Sequence, residues 1–144
     1  MKKDRIGTEE HLVFGLGGEE YAVKILCVQE IRSFQKPTTI AGSPNYVLGV
    51  INLRGAIVPI MDLRVKIGSQ AEITQQSVII VLSVNDKSFG IVVDSVSDVI
   101  AVNLSGVEDT PVKIPENVNF ISGIIKADKR LLMLVDTEKL TMEL

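Results

Sequence analysis

The chain has one cysteine, one histidine and no tryptophan among its 144 residues. A single cysteine excludes a disulfide framework and suits a reducing compartment. One cysteine with one histidine cannot build a structural zinc site. His11 stands beside the first predicted strand, with no serine or cysteine nucleophile in a recognisable frame, and reads as a lone surface histidine. Cys27 lies among apolar residues and reads as a small core hydrophobe. The glycines of "GLGG" at 15–18 are followed by no helix pattern with phosphate-cradle spacing. With no converging titratable groups, the sequence points away from an enzyme and calls for neither metal nor cofactor. Aromatics are 4% and the formal charge is −3. That composition is a poor match for a single-stranded nucleic-acid barrel, which interleaves aromatic and basic side chains. Long apolar runs are missing as well. "VIIVL" at 78–82 is far too short to cross a bilayer, and no apolar segment follows the charged "MKKDRIGTEEH", so no signal peptide is expected. The expectation is a cytoplasmic protein with no direct membrane insertion and a charged N-terminal tail over residues 1–11.

Aliphatic material is plentiful. Hydrophobic residues make up 46% and mean hydropathy is +0.30. With so few aromatics the core must rest on valine, isoleucine and leucine, which favour strands. Short apolar runs alternate with turn signals, and no long amphipathic helix intervenes, which is an all-β pattern. The pattern also repeats. "LVFGLGGEEYAVKILCVQEI" from Leu12 falls on "IIVLSVNDKSFGIVVDSVSDV" with a shift of 68, placing Tyr21 on Phe89, Val28 on Val96, Glu30 on Asp98 and Ile31 on Val99. "YVLGVINLRGAIVPIMD" falls on "FISGIIKADKRLLMLVD" with a shift of 74, placing Gly49 on Gly123 and Asp62 on Asp136. The six-residue difference is an insertion near "NLSGVEDTPVKIPEN". Internal duplication follows, with a first barrel half over 12–75 and a second over 76–144, and with strands free to cross between them.

Gly17-Gly18 and Asn85-Asp86 are turn signals for tight hairpins. Asp62 and Asp136 end strands ahead of short helical stretches, where a carboxylate can cap the first free N–H groups. Pro59 removes a ladder donor and is expected at a sheet edge or bulge. Gly55 follows Arg54 at a hairpin tip, where a positive φ is expected. Arg54 itself admits two readings: a planar five-donor group tying loop carbonyls together, or one presented to a partner or to the neighbouring barrel. Its counterpart in the second copy is Asp128, which favours a role specific to the first half.

"GVINLRGAIVPIMDLR", with "YAVKILCVQEI" before it and "SFGIVVDSVSDVI" after it, resembles the CheW-like domain family of bacterial chemotaxis, from about Leu12 to Leu140. The "NLRG" tip inside its apolar frame is the most specific part of the match. The resemblance implies two five-stranded SH3-like barrels side by side, with short helical turns. It implies a non-catalytic adaptor that scaffolds signalling arrays by coupling chemoreceptor cytoplasmic hairpin tips to the regulatory domain of the chemotaxis histidine kinase, itself CheW-like. An adaptor of a non-flagellar chemosensory pathway is the alternative, and a small ligand- or nucleic-acid-binding barrel is the rival from another class. By motif, an apolar receptor groove between the barrels would include Leu12, Ile25, Val28 and Val96, though each valine also reads as a plain core residue. Glu30, Gly49, Arg54 and Gly55 fall in motifs tied to partner binding or to loop structure. The kinase would meet exposed loops and barrel ends.

Overall fold

The computed structural model describes residues 6–69, 72–115 and 118–144. Chain order is β1 (Thr8–Leu16), β2 (Glu19–Lys24), β3 (Val28–Ser33), β4 (Val47–Leu53), β5 (Ala56–Asp62), α1 (Leu63–Ile67), β6 (Val78–Val84), β7 (Lys87–Val93), β8 (Ser95–Asn103), β9 (Ile121–Ala127), β10 (Arg130–Val135) and α2 (Thr137–Thr141). Four hairpins turn on two residues that both have positive φ: Gly17-Gly18, Arg54-Gly55, Asn85-Asp86 and Asp128-Lys129. Such turns carry the right-handed twist of the flanking strands, which is why glycine, asparagine and aspartate dominate them.

The strands form two five-stranded sheets, with orders β3-β6-β7-β5-β4 and β8-β1-β2-β10-β9. Each sheet closes on itself. Beyond the edge strand β3, Thr38 exchanges backbone hydrogen bonds of 2.8 and 2.9 Å with Val50 on the opposite edge, β4. Beyond β8, Glu108 and Ile124 on β9 exchange bonds of 2.8 Å in the same way. The first sheet is barrel I and the second barrel II.

The division at 75/76 does not separate the barrels. Hairpin β1–β2 joins barrel II, while β6–β7 joins barrel I. Each half of the sequence thus lends its first hairpin to the barrel built from the other half's remaining strands. The register repeats with the sequence. Phe14 pairs with Val96, and Leu82 with Val28, both at a shift of 68. Parallel contacts β2–β10 and β7–β5 then join each lent hairpin to its host.

This exchange explains the apolar strands. Along β6, Ile79 and Val81 fill barrel I while Ile80, Leu82 and Val84 face a central core between the barrels. Along β1, Val13 fills barrel II while Leu12, Phe14 and Leu16 face the same central core. A strand buried on both faces shows a nearly continuous hydrophobic run. Phe89, Phe120, Met61 and Leu140 complete the central core.

Several expectations are corrected. The charged tail does not reach residue 11: β1 begins at Thr8, which pairs with Asn103, while residues 1–5 lie outside the described residues. His11 is buried at 4% exposure, because β1 is an interior strand between β2 and β8. Of the two places expected for it, Pro59 is not at an edge, since β5 is interior, but the register of β4–β5 slips beside it, between Val47 and Gly49 opposite Met61 and Ile60. The proline is tolerated because Val50 opposite it spends both backbone groups on Thr38, and the parallel pairing with β7 starts one residue later, at Ile60.

Candidate functional site

Gly49 belongs to the closure of barrel I. Its φ is +142°, and a Cβ there would lie 2.1 Å from the carbonyl oxygen of Thr38. Only glycine lets β4 approach the returning segment that closely. Gly55 is different: its φ is +87°, with nothing within 4 Å of a would-be Cβ. Its N–H donates to Asn52 Oδ1 at 2.8 Å, which stabilises the turn and presents Arg54 at the tip.

Arg54 reaches across the seam of barrel I. Its Nη2 donates to Glu30 Oε2 on β3 at 2.7 Å. Arg32 Nη1 donates to the other oxygen of Glu30 at 3.1 Å, and Arg32 Nη2 donates to Gln35 Oε1 at 3.0 Å. Two guanidiniums, Arg54 first, hold the Glu30 carboxyl below its ordinary pKa. The Arg54 side chain remains 71% exposed, so the contact is a surface pair.

Barrel II repeats the device with different residues. Asp98, the counterpart of Glu30, accepts from Arg130 Nη1 and Nη2 at 3.2 and 3.1 Å, and from Ser97 Oγ at 2.7 Å. Arg130 also donates from Nε and Nη2 to Glu20 at 3.0 and 2.8 Å. The arginine lowers the pKa of both carboxyls, and its own is raised in return. The comparison of Arg54 with Asp128 suggested an arginine peculiar to the first half. The second half carries its arginine two residues further on, at the start of β10, so equal sequence positions concealed equal contacts.

The two ion-pair clusters are therefore equivalent in place and opposed in net charge. Barrel I sets two arginines against one carboxylate; barrel II sets one arginine against two. Exposed aliphatic side chains accompany both. Ile57 at 75% and Leu131 at 62% are equivalent by the 74-residue shift, and Ile31 and Val99 are equivalent by the 68-residue shift.

The expected groove residues divide. Val28, Val96 and Ile25 are half-buried and pack against the rim of the central core. Leu12 is 3% exposed and inside that core, so it does not line an open surface. Leu26, beside Ile25 in the 3-10 turn Ile25–Cys27, is 92% exposed. Neither Leu26 nor Arg130 was singled out from the sequence. The pairing of Asp98 with Glu30 under the repeat was the available signal for the second.

Asp62 and Asp136 sit at the N-caps of α1 and α2. Asp62 Oδ1 accepts from Arg64 N at 3.0 Å, and Asp136 Oδ1 from Lys139 N at 3.2 Å. Their own N–H groups donate to Tyr46 and Phe120, residues equivalent by the 74-residue shift, both at 2.7 Å.

Comparison with known proteins agrees with this arrangement. The family described as CheW-like domain matches residues 10–143. The chain is 43% identical to the chemotaxis protein CheW of Klebsiella aerogenes over 134 residues, covering 92% of this chain and 81% of that one. It is 38% identical to the chemotaxis protein CheW of Bacillus subtilis, covering 89% of this chain and 83% of that one. Among solved structures, the scaffolding protein TtCheW from Thermoanaerobacter tengcongensis superposes with a TM-score of 0.82 at 29% identity, covering 90% of this chain and 89% of that one.

Proposed function

The chain belongs to the CheW-like domain family, and on that premise we propose that it is a non-catalytic chemotaxis adaptor joining two partners on separate surfaces. The observation that carries the reading is the pseudo-twofold placement of Val28 and Val96. Each lies on an edge strand at the rim of the core between the barrels, opposite Leu82 and Phe14. A pair of half-buried aliphatic residues at equivalent positions suits the helical hairpin tip of a chemoreceptor, which presents apolar side chains at helical spacing. Ile25 extends the same surface, and Leu12 supports it from within.

The second partner is the kinase's regulatory domain. As a CheW-like domain it would carry equivalent barrel ends, so the positive end of barrel I fits the negative end of a second such domain. Ile57 and Leu131 then supply apolar contact inside a polar rim. No helix among the described residues is long and apolar enough to cross a membrane. A place in cytoplasmic arrays beneath the receptors follows from the partners and not from insertion.

Binding and melting of two variants test the groove. Val28→Asp and Val96→Asp place a carboxylate at a half-exposed site, where water still reaches it. The melting transition should persist, while affinity for a receptor-tip hairpin falls at least tenfold, about 1.4 kcal/mol. If both variants lose the folded baseline, the valines are core and the groove reading fails.

A further inference from the structure

Neither partner surface uses the two buried cations of α1. The side chains of Arg64 and Lys66 are 3% and 5% exposed on a five-residue helix. Lysine and arginine are rarely buried to this degree unless partners hold them. Arg64 Nε and Nη2 donate to Asp62 at 3.2 and 3.4 Å, while Nη1 is buried without a hydrogen-bond partner among the described residues and meets Asp94 Oδ1 by charge alone, at 3.7 Å. Asp94 in turn accepts from Gly17 N at 2.8 Å. It stands between β7 and β8, two residues before Val96.

Lys66 reaches the other way. Its Nζ lies 3.1 Å from Glu143 Oε1 and 4.4 Å from the centre of the Tyr46 ring, and the Tyr46 hydroxyl donates to the Glu143 carbonyl at 2.7 Å. Glu143 follows α2, whose first residue, Thr137, places Oγ1 3.6 Å from Cys27 Sγ. Cys27 immediately precedes Val28. Two chains of contacts thus leave one short helix, and each ends beside one valine of the proposed groove. The repeat supplies this only once, because positions 64 and 66 correspond to Glu138 and Leu140 in the second copy. An apolar pair would serve packing equally well, since a buried ion pair seldom stabilises more than its hydrophobic replacement. What the ion pair adds is a defined geometry.

We propose that Arg64 and Lys66 are positioning residues for the groove: α1 holds the start of β8 through Asp94, and the start of β3 through Glu143, α2 and Cys27, and so sets the spacing of Val96 and Val28. The proposal rests on the receptor-groove reading, and its test has an arm that does not. Cys27 is the chain's single cysteine, so its rate of reaction with dithionitrobenzoate, well below the melting temperature, reports whether Thr137 is in place. Lys66→Met keeps bulk and removes the buried charge; Glu143→Gln keeps an amide oxygen within reach of Lys66 Nζ but removes its counter-charge, so the melting temperature of each variant is measured beside the thiol rate. Both should raise the Cys27 rate several-fold and weaken receptor-tip binding several-fold, with kinase-domain binding at the barrel ends unchanged. Lys66→Arg should restore both towards wild type. An unchanged thiol rate overturns the proposal. So does a raised rate with intact tip binding, or a loss of binding to both partners in proportion to the fall in melting temperature. If the wild-type chain binds no receptor tip, the groove reading fails, while the thiol rates still decide whether Lys66 and Glu143 hold β3.

Discussion

Arg54 looked anomalous at the tip of an apolar hairpin because its partner lies 24 positions away, on the strand that forms the opposite edge of the barrel. The Arg54 guanidinium is mostly exposed and water screens it, while the more covered Glu30 keeps Arg32, so losing Arg54 costs folding little. Arg54→Ala should therefore leave the urea midpoint close to wild type and weaken assembly with the kinase domain. Arg54→Lys should rescue only in part, because an ammonium lacks the planar fork. A carboxyl titration followed by NMR adds a signed check. Glu30 has a folded-state pKa below its unfolded value, so its contribution is present above the unfolded value and lost as pH falls through the folded one. In Arg54→Ala the Glu30 titration should move up in pH, with Arg32 keeping part of the shift. An unmoved titration would show that the two side chains do not meet in solution.

Among the elements, the hairpins were the most legible in sequence, because two-residue turn chemistry is local. Gly17-Gly18, Asn85-Asp86 and Gly55 announced left-handed backbone, and their φ values lie there. Lys129, at φ +69°, did not, since lysine carries no turn signal. The contrast makes a prediction. Gly55→Val should cost at least about 1 kcal/mol, whereas Lys129→Gly should stabilise by up to about 1 kcal/mol, because only glycine occupies that region without strain. Urea midpoints of the two variants shifting in the same direction would contradict the turn assignment. The helices were legible only as caps. That α1 turns Arg64 and Lys66 inward depends on Asp94 and Glu143, which no pattern within "LRVKIG" reveals.

For the whole molecule, the duplication was readable and strand crossing was left open, but which hairpin crosses was not legible. A repeat shows which residues are equivalent, while hydrogen bonding decides which copy each strand joins. That is why the boundary at 75/76 divides the sequence but not the barrels. Leu12 escaped for the same reason: the central core that buries it is completed by Ile80, Leu82, Phe89 and Ile91 of the other half, and His11 beside it is buried as well. Because neither barrel is complete without a lent hairpin, the two should unfold as one cooperative unit. Calorimetry should show a single transition with equal calorimetric and van 't Hoff enthalpies, and two resolved transitions would contradict the exchanged architecture.

The adaptor reading is tested most directly by sedimenting vesicles that display receptor hairpin tips with the kinase regulatory domain, in the presence and absence of this chain. The account predicts that the kinase domain pellets only when the chain is present. Val28→Asp should leave both proteins in the supernatant, whereas Arg54→Ala should pellet the chain and lose the kinase domain. A kinase domain that pellets equally well without the chain, or that is displaced by it, would contradict the account.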